Sequence, residues 1–319
     1  MTLLPSWRRL AGRRALVCAV LVVLPLLAVV GMGLARGRAS ASERSSDAAP
    51  TSSATLGIFA VPGWTATRHA LQVGALRRSY LVALPLHPEA RGRLPVLVLL
   101  HGRGMTPAFI ARRSGMLGGR PAIVVLPAGY GRSWNAGDCC SVARARSIDD
   151  VRFLSALVGQ VLHDQRNADP RAVYLAGFSN GGRMAYRIAC QRPGLFTAVA
   201  VVEAVSAYSC PVVRVPVPLL VVASTRDPLL RITPAAPVQR VEGYVQPSVQ
   251  GVVGWWRALD GCPGVATSEQ AGTLTRERWS GCRDGVTVGL DLYAAGGHTW
   301  PTGAASEVWA FFRGSGRHA

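Results

Sequence analysis

One short stretch constrains the fold of this chain more than any other feature: Gly177-Phe178-Ser179-Asn180-Gly181-Gly182. It follows the apolar, β-prone run 172–175 and precedes 183–190, where apolar residues recur at helical spacing. A Gly-x-Ser-x-Gly turn between a strand and a helix is typical of a nucleophile elbow. The glycines leave room for a very tight turn, and the dipole of the following helix favours negative charge beside the serine. The stretch therefore predicts that Ser179 is a nucleophile held above the end of a strand.

Apolar runs that alternate with helical patterns predict a mainly parallel central sheet flanked by helices. The run Leu94–Leu100 is continuously apolar, which is typical of a strand buried on both faces. His69–Val73 and Ser79–Leu84 alternate in polarity on either side of Gly74, which predicts a β-hairpin. The other predicted strands are 123–126, 172–175, 198–202, 219–223 and 286–293. The predicted helices are 151–162, 250–259 and 307–312.

Reactive side chains follow several of these predicted strands. Ser179, Asp227 and His298 each come after a strand, and His101-Gly102 follow another. Ligands of parallel sheets bind outside the carboxyl ends of the strands, so we expect these residues to meet at one rim. Their order in the chain, Ser then Asp then His, is that of an α/β-hydrolase triad. Asp149 and Asp150 are interpreted as helix-capping residues, and either is the fallback carboxylate.

This set of residues predicts acyl transfer through a covalent acyl-enzyme, without cofactor or metal. His298 would accept the proton of the Ser179 hydroxyl and return it to the leaving group. Asp227 would hold the imidazole tautomer and stabilise the imidazolium. The oxyanion needs preorganised donors, and the candidates are the backbone N–H groups of Arg103 and Asn180. The side chain of Arg103 is not needed for that role and is expected to face solvent or substrate.

The N-terminal region predicts export. Several arginines precede the apolar stretch Ala15–Leu34, and Ala39-Ser40-Ala41 offers a small-x-small cleavage site. The stretch is also long enough to span a bilayer. Residues 1–41 are therefore a signal peptide or an N-terminal membrane anchor, and a membrane is a partner only if they stay uncleaved. We expect a disordered linker at 42–55, a catalytic domain at 56–313 and a tail at 314–319, in a protein that is secreted or associated with the cell envelope.

Cysteine usage agrees with export, because six cysteines follow the N-terminal region and an even number favours disulfides in an exported protein. Cys262 and Cys282 flank one irregular, glycine-containing segment, and we expect them to pair. Cys139 and Cys140 are neighbours, and we expect each to bond elsewhere, to Cys190 and Cys210 in an order that the sequence leaves open.

The chain is strongly basic, with a formal net charge of +18, and all 35 of its basic residues are arginine. The arginines are scattered rather than clustered, and no nucleic-acid-binding motif accompanies them. We interpret them as a solvated basic surface. No nucleic-acid partner is expected.

Several motifs together carry a resemblance to a known family: His101-Gly102, Trp134-Asn135-Ala136-Gly137-Asp138-Cys139-Cys140, Asp149-Asp150-Val151, Gly177–Gly182, Asp227-Pro228 and Gly297-His298-Thr299-Trp300-Pro301. Over about residues 65–313, the chain resembles the secreted polyhydroxybutyrate depolymerase and feruloyl esterase-like family of α/β-hydrolases. The resemblance implies a disulfide-bonded α/β-hydrolase fold, with Ser179 as nucleophile, Asp227 as acid and His298 as base. It also implies that Trp134 and Trp300 border the substrate cleft, and packing in the core is the alternative interpretation of both. Ser224 and Arg226 depart from the family pattern, which bears on the substrate more than on the mechanism.

The sequence thus predicts an exported serine carboxylester hydrolase. Only seven residues follow Phe312, which leaves no room for the extra module that attack on a solid polyester usually needs, so we expect soluble or oligomeric esters, including esters derived from polysaccharides or polyesters. The alternatives are a cell-envelope acyltransferase that uses the same triad, a peptidase with this triad, and a non-catalytic polymer-binding module on a hydrolase scaffold.

Overall fold

The structure is a computed structural model that describes residues 61–87, 92–118, 120–211 and 215–315. The predicted signal peptide or anchor, the linker and the predicted start of the domain at residue 56 lie outside the described residues. Within the described ranges, no helix combines the length and the apolar character needed to cross a bilayer.

Within the part of the chain that the structure describes, ten strands form one sheet, in the order β1-β2-β4-β3-β5-β6-β7-β12-β11-β10. The strands from β4 to β12 in this order are mutually parallel, and antiparallel strands complete both edges. Their bounds are β1 Trp64–Val73, β2 Leu76–Pro85, β3 Leu94–Leu100, β4 Ile123–Pro127, β5 Ala168–Phe178, β6 Ala198–Val202, β7 Leu219–Ser224, β10 Thr267–Ala271, β11 Leu274–Trp279 and β12 Val288–Tyr293. A separate hairpin consists of β8 Gln239–Val241 and β9 Tyr244–Gln246. The predicted α/β-hydrolase fold is confirmed.

Helices cover both faces of this sheet. They are α1 Pro107–Arg113, α2 Ser141–Ala145, α3 Asp150–Asp164, α4 Asn180–Gln191, α5 Val249–Asp260 and α6 Ala304–Gly314. A short 3-10 turn, Arg283–Gly285, precedes β12. The predicted helices at 151–162, 250–259 and 307–312 correspond to α3, α5 and α6, each of which extends beyond the predicted bounds.

The alternation of β3 explains why the sheet is buried on both faces. Val96, Val98 and Leu100 belong to one core cluster, which includes side chains of α3, α4 and α5. Leu97 and Leu99 belong to a second cluster, with side chains of α1 and α6. A strand between two layers of helices carries apolar side chains in both directions, as the continuous run 94–100 predicts.

The sequence analysis interpreted the segment between Cys262 and Cys282 as irregular, and that interpretation is wrong. It contains the hairpin β10–β11, and β11 pairs antiparallel with β12 at the edge of the main sheet. The exposed residues of β10 and the charged residues of β11 give little apolar alternation, which is why the hairpin is not recognisable in the sequence. The structure pairs Cys262 with Cys282, as predicted.

The other predicted disulfide pairing is wrong. The structure pairs Cys139 with its neighbour Cys140, and Cys190 with Cys210. Cys190 lies near the end of α4, and Cys210 lies in the loop that follows β6. Cys139 and Cys140 are buried beside Ala207 in a small cluster of their own.

Candidate active site

A tight turn between β5 and α4 carries Ser179. Its backbone has φ 52° and ψ −118°, a left-handed conformation that is uncommon for a residue with a side chain. A Cβ atom on Gly177 would overlap the carbonyl oxygen of Gly181, and one on Gly181 would lie 2.6 Å from the carbonyl oxygens of Leu100 and His101. Both positions therefore require glycine, and the turn presents a strained serine at the end of a strand.

Three predicted residues meet at the carboxyl ends of their strands. The Nε2 atom of His298 lies 2.8 Å from the Oγ atom of Ser179. The Nδ1 atom of His298 lies 2.7 Å from the Oδ2 atom of Asp227. The carboxylate of Asp227 is buried, whereas the imidazole of His298 remains 22% exposed. The geometry allows proton transfer from the serine hydroxyl to an imidazole that a carboxylate orients.

The Asp227 carboxylate is held by several donors. Its Oδ1 atom accepts a hydrogen bond from the backbone N–H of Leu229, at 2.7 Å. Burial alone would raise the pKa of Asp227, but hydrogen bonds with His298, Glu203 and the Leu229 N–H bring that pKa below its usual value. Asp227 is therefore charged at neutral pH and suited to stabilise an imidazolium.

Sequence reasoning missed Glu203, which lies in this network. It directly follows β6 and is 1% exposed. Its Oε1 atom accepts a hydrogen bond from the hydroxyl of Ser224, at 2.5 Å. Glu203 directly follows the apolar run Ala198–Val202. The one sequence signal for a role in the site was therefore an acidic residue at the end of a strand in the middle of the predicted sheet.

The loop after β3 lies against the nucleophile. A Cβ atom on Gly102 would lie 3.3 Å from the Cβ of Ser179, which places the backbone of the loop in van der Waals range of the serine. The backbone N–H of Asn180 is the first of helix α4 and has no partner in the preceding turn of that helix. The loop at Arg103 and the start of α4 thus flank Ser179, where an oxyanion hole would have to form.

The side chain of His101 stabilises this loop through two hydrogen bonds. Its buried ring accepts a hydrogen bond from the backbone N–H of Gly129 at Nε2, 3.0 Å, so Nδ1 carries the proton and donates to the carbonyl of Gly102, 2.8 Å. Burial lowers the pKa of His101 to about 4, with the charges of Arg132 and Arg78 acting in the same direction and the Gly102 hydrogen bond against it. The neutral ring is a structural support of the loop.

The side chain of Arg103 contacts the hairpin β8–β9. This side chain is 57% exposed, and its guanidinium lies 3.1 Å from the Oε1 atom of Glu242. Glu242 also accepts hydrogen bonds from the backbone N–H of Ser141. The hairpin therefore connects the loop after β3 with the start of α2, and neither contact uses the backbone N–H of Arg103.

Trp134 is not a substrate contact, which corrects the expectation from the resemblance. Its side chain is fully buried, and its indole N–H donates to the carbonyl of His101, at 2.9 Å. Its backbone N–H donates to the side-chain oxygen of Asn180, at 2.8 Å. Trp134 therefore supports the loops on both sides of Ser179 from within the core.

The fallback carboxylates have other partners. Asp149 caps α3, since its side chain accepts a hydrogen bond from the backbone N–H of Arg152. Asp150 is not a capping residue: it is fully buried and forms an ion pair with Arg78, at 2.7 Å. Its other carboxylate oxygen accepts from the backbone N–H of Asn135, at 2.8 Å. Neither residue contacts His298.

An apolar cavity of about 200 Å³ opens beside the imidazole of His298. Trp300 and Arg113 are among the residues that line it. Helix α1, which the sequence did not reveal, provides part of the wall. The apolar lining residues are Met105, Phe109, Ile110, Phe178 and Trp300. Among the residues that the structure describes, no group of three or more His, Cys, Asp or Glu side chains is placed to hold a metal ion.

Comparison with known families and proteins finds esterases. A family model described as "Putative esterase" matches residues 76–268. The "Putative esterase NocK" of Nocardia uniformis subsp. tsuyamanensis is 30% identical over 264 residues, which cover 75% of each chain. Feruloyl esterase B of Piromyces equi is 29% identical over 191 residues, covering 57% of this chain but only 34% of its own length.

Solved structures agree at the level of the fold. An acetyl xylan esterase from Aspergillus awamori superposes with a TM-score of 0.55 at 15% identity, over 77% of this chain and 98% of its own. A carboxylesterase from Mesorhizobium loti gives a TM-score of 0.50 at 16% identity, over 77% and 99%. At identities this low, the superpositions show a shared fold and nothing more specific.

Proposed function

We propose that this chain, a carboxylester hydrolase that belongs to the esterase family matched by its residues 76–268, is an exported serine esterase with the triad Ser179, His298 and Asp227. The observation that carries the proposal is the continuous hydrogen-bonded chain from the serine hydroxyl through both ring nitrogens to a buried carboxylate, at 2.8 and 2.7 Å. Feruloyl esterases among the relatives support an ester substrate of the feruloyl type.

The mechanism follows from the positions of these side chains. His298 takes the proton of Ser179 as the serine oxygen adds to the ester carbonyl, and Asp227 stabilises the imidazolium. The backbone N–H groups of Arg103 and Asn180 receive the oxyanion, at the rim where negative charge develops. The imidazolium then protonates the leaving alcohol. A water molecule, deprotonated by the same imidazole, releases the acid from the acyl-enzyme and regenerates the serine.

The acyl group occupies the apolar cavity beside His298. Its volume of about 200 Å³ exceeds the roughly 150 Å³ of an engineered apolar cavity that binds benzene, so it accommodates one aromatic ring. The preferred substrates are therefore soluble or oligomeric esters of aromatic or short apolar acids, with the alcohol portion directed towards solvent. Pairing of all six cysteines after the N-terminal region supports the exported location.

Steady-state kinetics of triad variants test the catalytic assignment. Ser179→Ala and His298→Ala should each lower kcat for p-nitrophenyl butyrate by about 10⁶-fold, because members of a triad act as a unit. The control His163→Gln replaces an exposed histidine outside the site and should keep full activity. Turnover by Ser179→Ala within tenfold of the wild-type rate would remove Ser179 from the mechanism.

A substrate panel tests the assignment of the acyl cavity: p-nitrophenyl acetate, methyl ferulate, acetylated xylan and hydroxybutyrate oligomers. Phe109→Ala removes one wall of the cavity and should lower kcat/KM for methyl ferulate about tenfold, because contact with the ring is lost. An acetyl group does not reach that wall, so kcat/KM for p-nitrophenyl acetate should change less than about twofold. Val265→Ala, at a residue that is 88% exposed, is the matched control. Equal losses for both esters would place the acyl group elsewhere.

A further inference from the structure

Glu203 occupies a central position between the two strands that carry Ser179 and Asp227. It follows β6, and its backbone N–H donates to the carbonyl of Val222 on β7, at 2.9 Å. The preceding residue, Val202, accepts a hydrogen bond from the backbone N–H of Ser179, also at 2.9 Å. Glu203 has a φ of 49°, which is uncommon for a residue other than glycine, asparagine or aspartate. The backbone thus holds a buried carboxyl group at the centre of the site in a strained conformation.

Glu203 and Asp227 follow the neighbouring strands β6 and β7, and their carboxyl groups interact at short range. Its Oε1 atom accepts from the hydroxyl of Ser224, and no described donor approaches its buried Oε2 atom. Two carboxylates in contact cannot both be charged at low cost. Asp227 already accepts hydrogen bonds from His298 and from the N–H of Leu229, so Asp227 keeps the charge and the proton resides on Glu203.

We propose that Glu203 is a positioning residue of the active site, which stays protonated and donates its O–H to Asp227, so that the aspartate holds His298 in the orientation required by Ser179. The assignment rests on the proposed triad. Burial raises the pKa of Glu203 to about 9, the contact with Asp227 acts in the same direction, and the Ser224 hydroxyl opposes it. A neutral, buried carboxylic acid satisfies its own Oε2 atom and one lone pair of Asp227 with the same hydrogen bond.

This arrangement has a consequence at high pH. Two further charged or titratable groups face the contact between Glu203 and Asp227: His298 after β12, which is hydrogen-bonded to Asp227, and Arg183 of α4, whose charge interacts with Asp227. When Glu203 loses its proton, a second negative charge appears beside Asp227 and the hydrogen bond between them is lost. Activity should therefore fall as the pH rises through about 9.

Two substitutions separate this role from a structural one. In Glu203→Gln, the amide donates to Asp227 and accepts from Ser224 but cannot ionise. Its kcat/KM for p-nitrophenyl butyrate at pH 7.5 should stay within about threefold of wild type, and the decline near pH 9 should disappear. Glu203→Leu has no donor, and its kcat should fall about 10- to 100-fold with little change in KM, as expected for the loss of a hydrogen bond to a charged group. Glu277→Gln, on β11, is the matched control and should reproduce the wild-type profile.

The pH profile of Glu203→Gln decides the question even if Glu203→Leu fails to fold. The proposal would be overturned if the activity of the wild type did not decline near pH 9, or if Glu203→Gln kept that decline. It would also be overturned by a folded Glu203→Leu whose kcat lies within twofold of wild type. The proposed function is tested separately. An inactive Ser179→Ala together with a folded Glu203→Leu of wild-type kcat rejects the role of Glu203 alone, whereas an active Ser179→Ala rejects the triad, and the role of Glu203 with it.

Discussion

Gly177 and Gly181 face each other across the turn that carries Ser179, so closely that a Cβ atom on Gly177 would overlap the carbonyl oxygen of Gly181. The obstructing atom belongs to the backbone of helix α4 and cannot rotate away. The spacing of the two glycines is therefore a steric condition for the nucleophile to stand above the sheet, and it explains why such a short motif constrains the whole site.

Gly177→Ala should abolish esterase activity and lower the free energy of unfolding by about 1–3 kcal/mol, the usual cost of overpacking. The matched control is Gly254→Ala in α5, where an added Cβ meets no atom within 4 Å. The control should raise stability by up to about 1 kcal/mol, because alanine favours the helix. Urea denaturation and p-nitrophenyl butyrate hydrolysis measure both effects. Gly177→Ala with wild-type kcat would contradict the steric account of the turn.

His101 should make the protein sensitive to acid. Burial lowers the pKa of His101 to about 4 in the folded chain, whereas an unperturbed histidine titrates near 6.5. The neutral ring therefore contributes stability above about pH 6.5, and the contribution is lost as the pH falls towards 4, by up to about 3 kcal/mol. Urea unfolding at a series of pH values should show this slope, and it should be shallower in His101→Gln. The exposed control His163→Gln should keep it; an unchanged slope in His101→Gln would exclude His101 as its source.

The buried ion pair between Asp150 and Arg78 gives a third prediction. Asp150→Asn leaves the guanidinium of Arg78 without its countercharge in the core and should destabilise the protein by about 3–5 kcal/mol. Asp149→Ala, one residue away, removes only the cap of α3 and should cost about 1 kcal/mol. Urea midpoints of the two variants provide the comparison. Equal losses would return Asp150 to the capping role that the sequence indicated.

Peptide mapping of the unreduced protein tests the cysteine pairing. Trypsin should release 133–144, which contains both Cys139 and Cys140, as a single unlinked peptide that is lighter than the reduced form by two hydrogen atoms. Cys190 and Cys210 should remain within one peptide, 188–214, because the bond between Arg192 and Pro193 resists cleavage. A cross-link between 133–144 and 188–214 would contradict the structure and restore the pairing expected from the sequence.

The main features of the site were predictable because they depend on local sequence. The Gly-x-Ser-x-Gly turn encodes its own geometry, and Asp227 and His298 follow strands whose parallel arrangement carries them to the same rim. Their convergence was predictable from the common direction of the parallel strands, without knowledge of any contact between the side chains. The backbone donors at Arg103 and Asn180 and the substrate contact at Trp300 remain predictions.

What the sequence did not reveal depends on contacts between distant segments. Glu203 ends an apolar run, and its meeting with Asp227 results from the register of β6 and β7. In the sequence, Trp134 is an aromatic residue in a polar loop. In the structure, its indole N–H donates a hydrogen bond to the carbonyl of His101. Asp150 resembles a cap because it lies at the start of a helix. Its ion-pair partner, Arg78, is 72 residues away in the chain, so the sequence does not reveal the pair. Pairing across the fold has no periodicity from which it could be inferred.

Active-site labelling tests the central claim most directly. Folded protein should react with a fluorophosphonate to one equivalent, and tryptic mapping should place the adduct in peptide 172–183, whose only serine is Ser179. Labelling should be lost in Ser179→Ala and should be strongly slowed in His298→Ala, since the imidazole activates the hydroxyl. An adduct on another residue, or hydrolytically active wild-type protein that takes up no label at Ser179, would contradict the account.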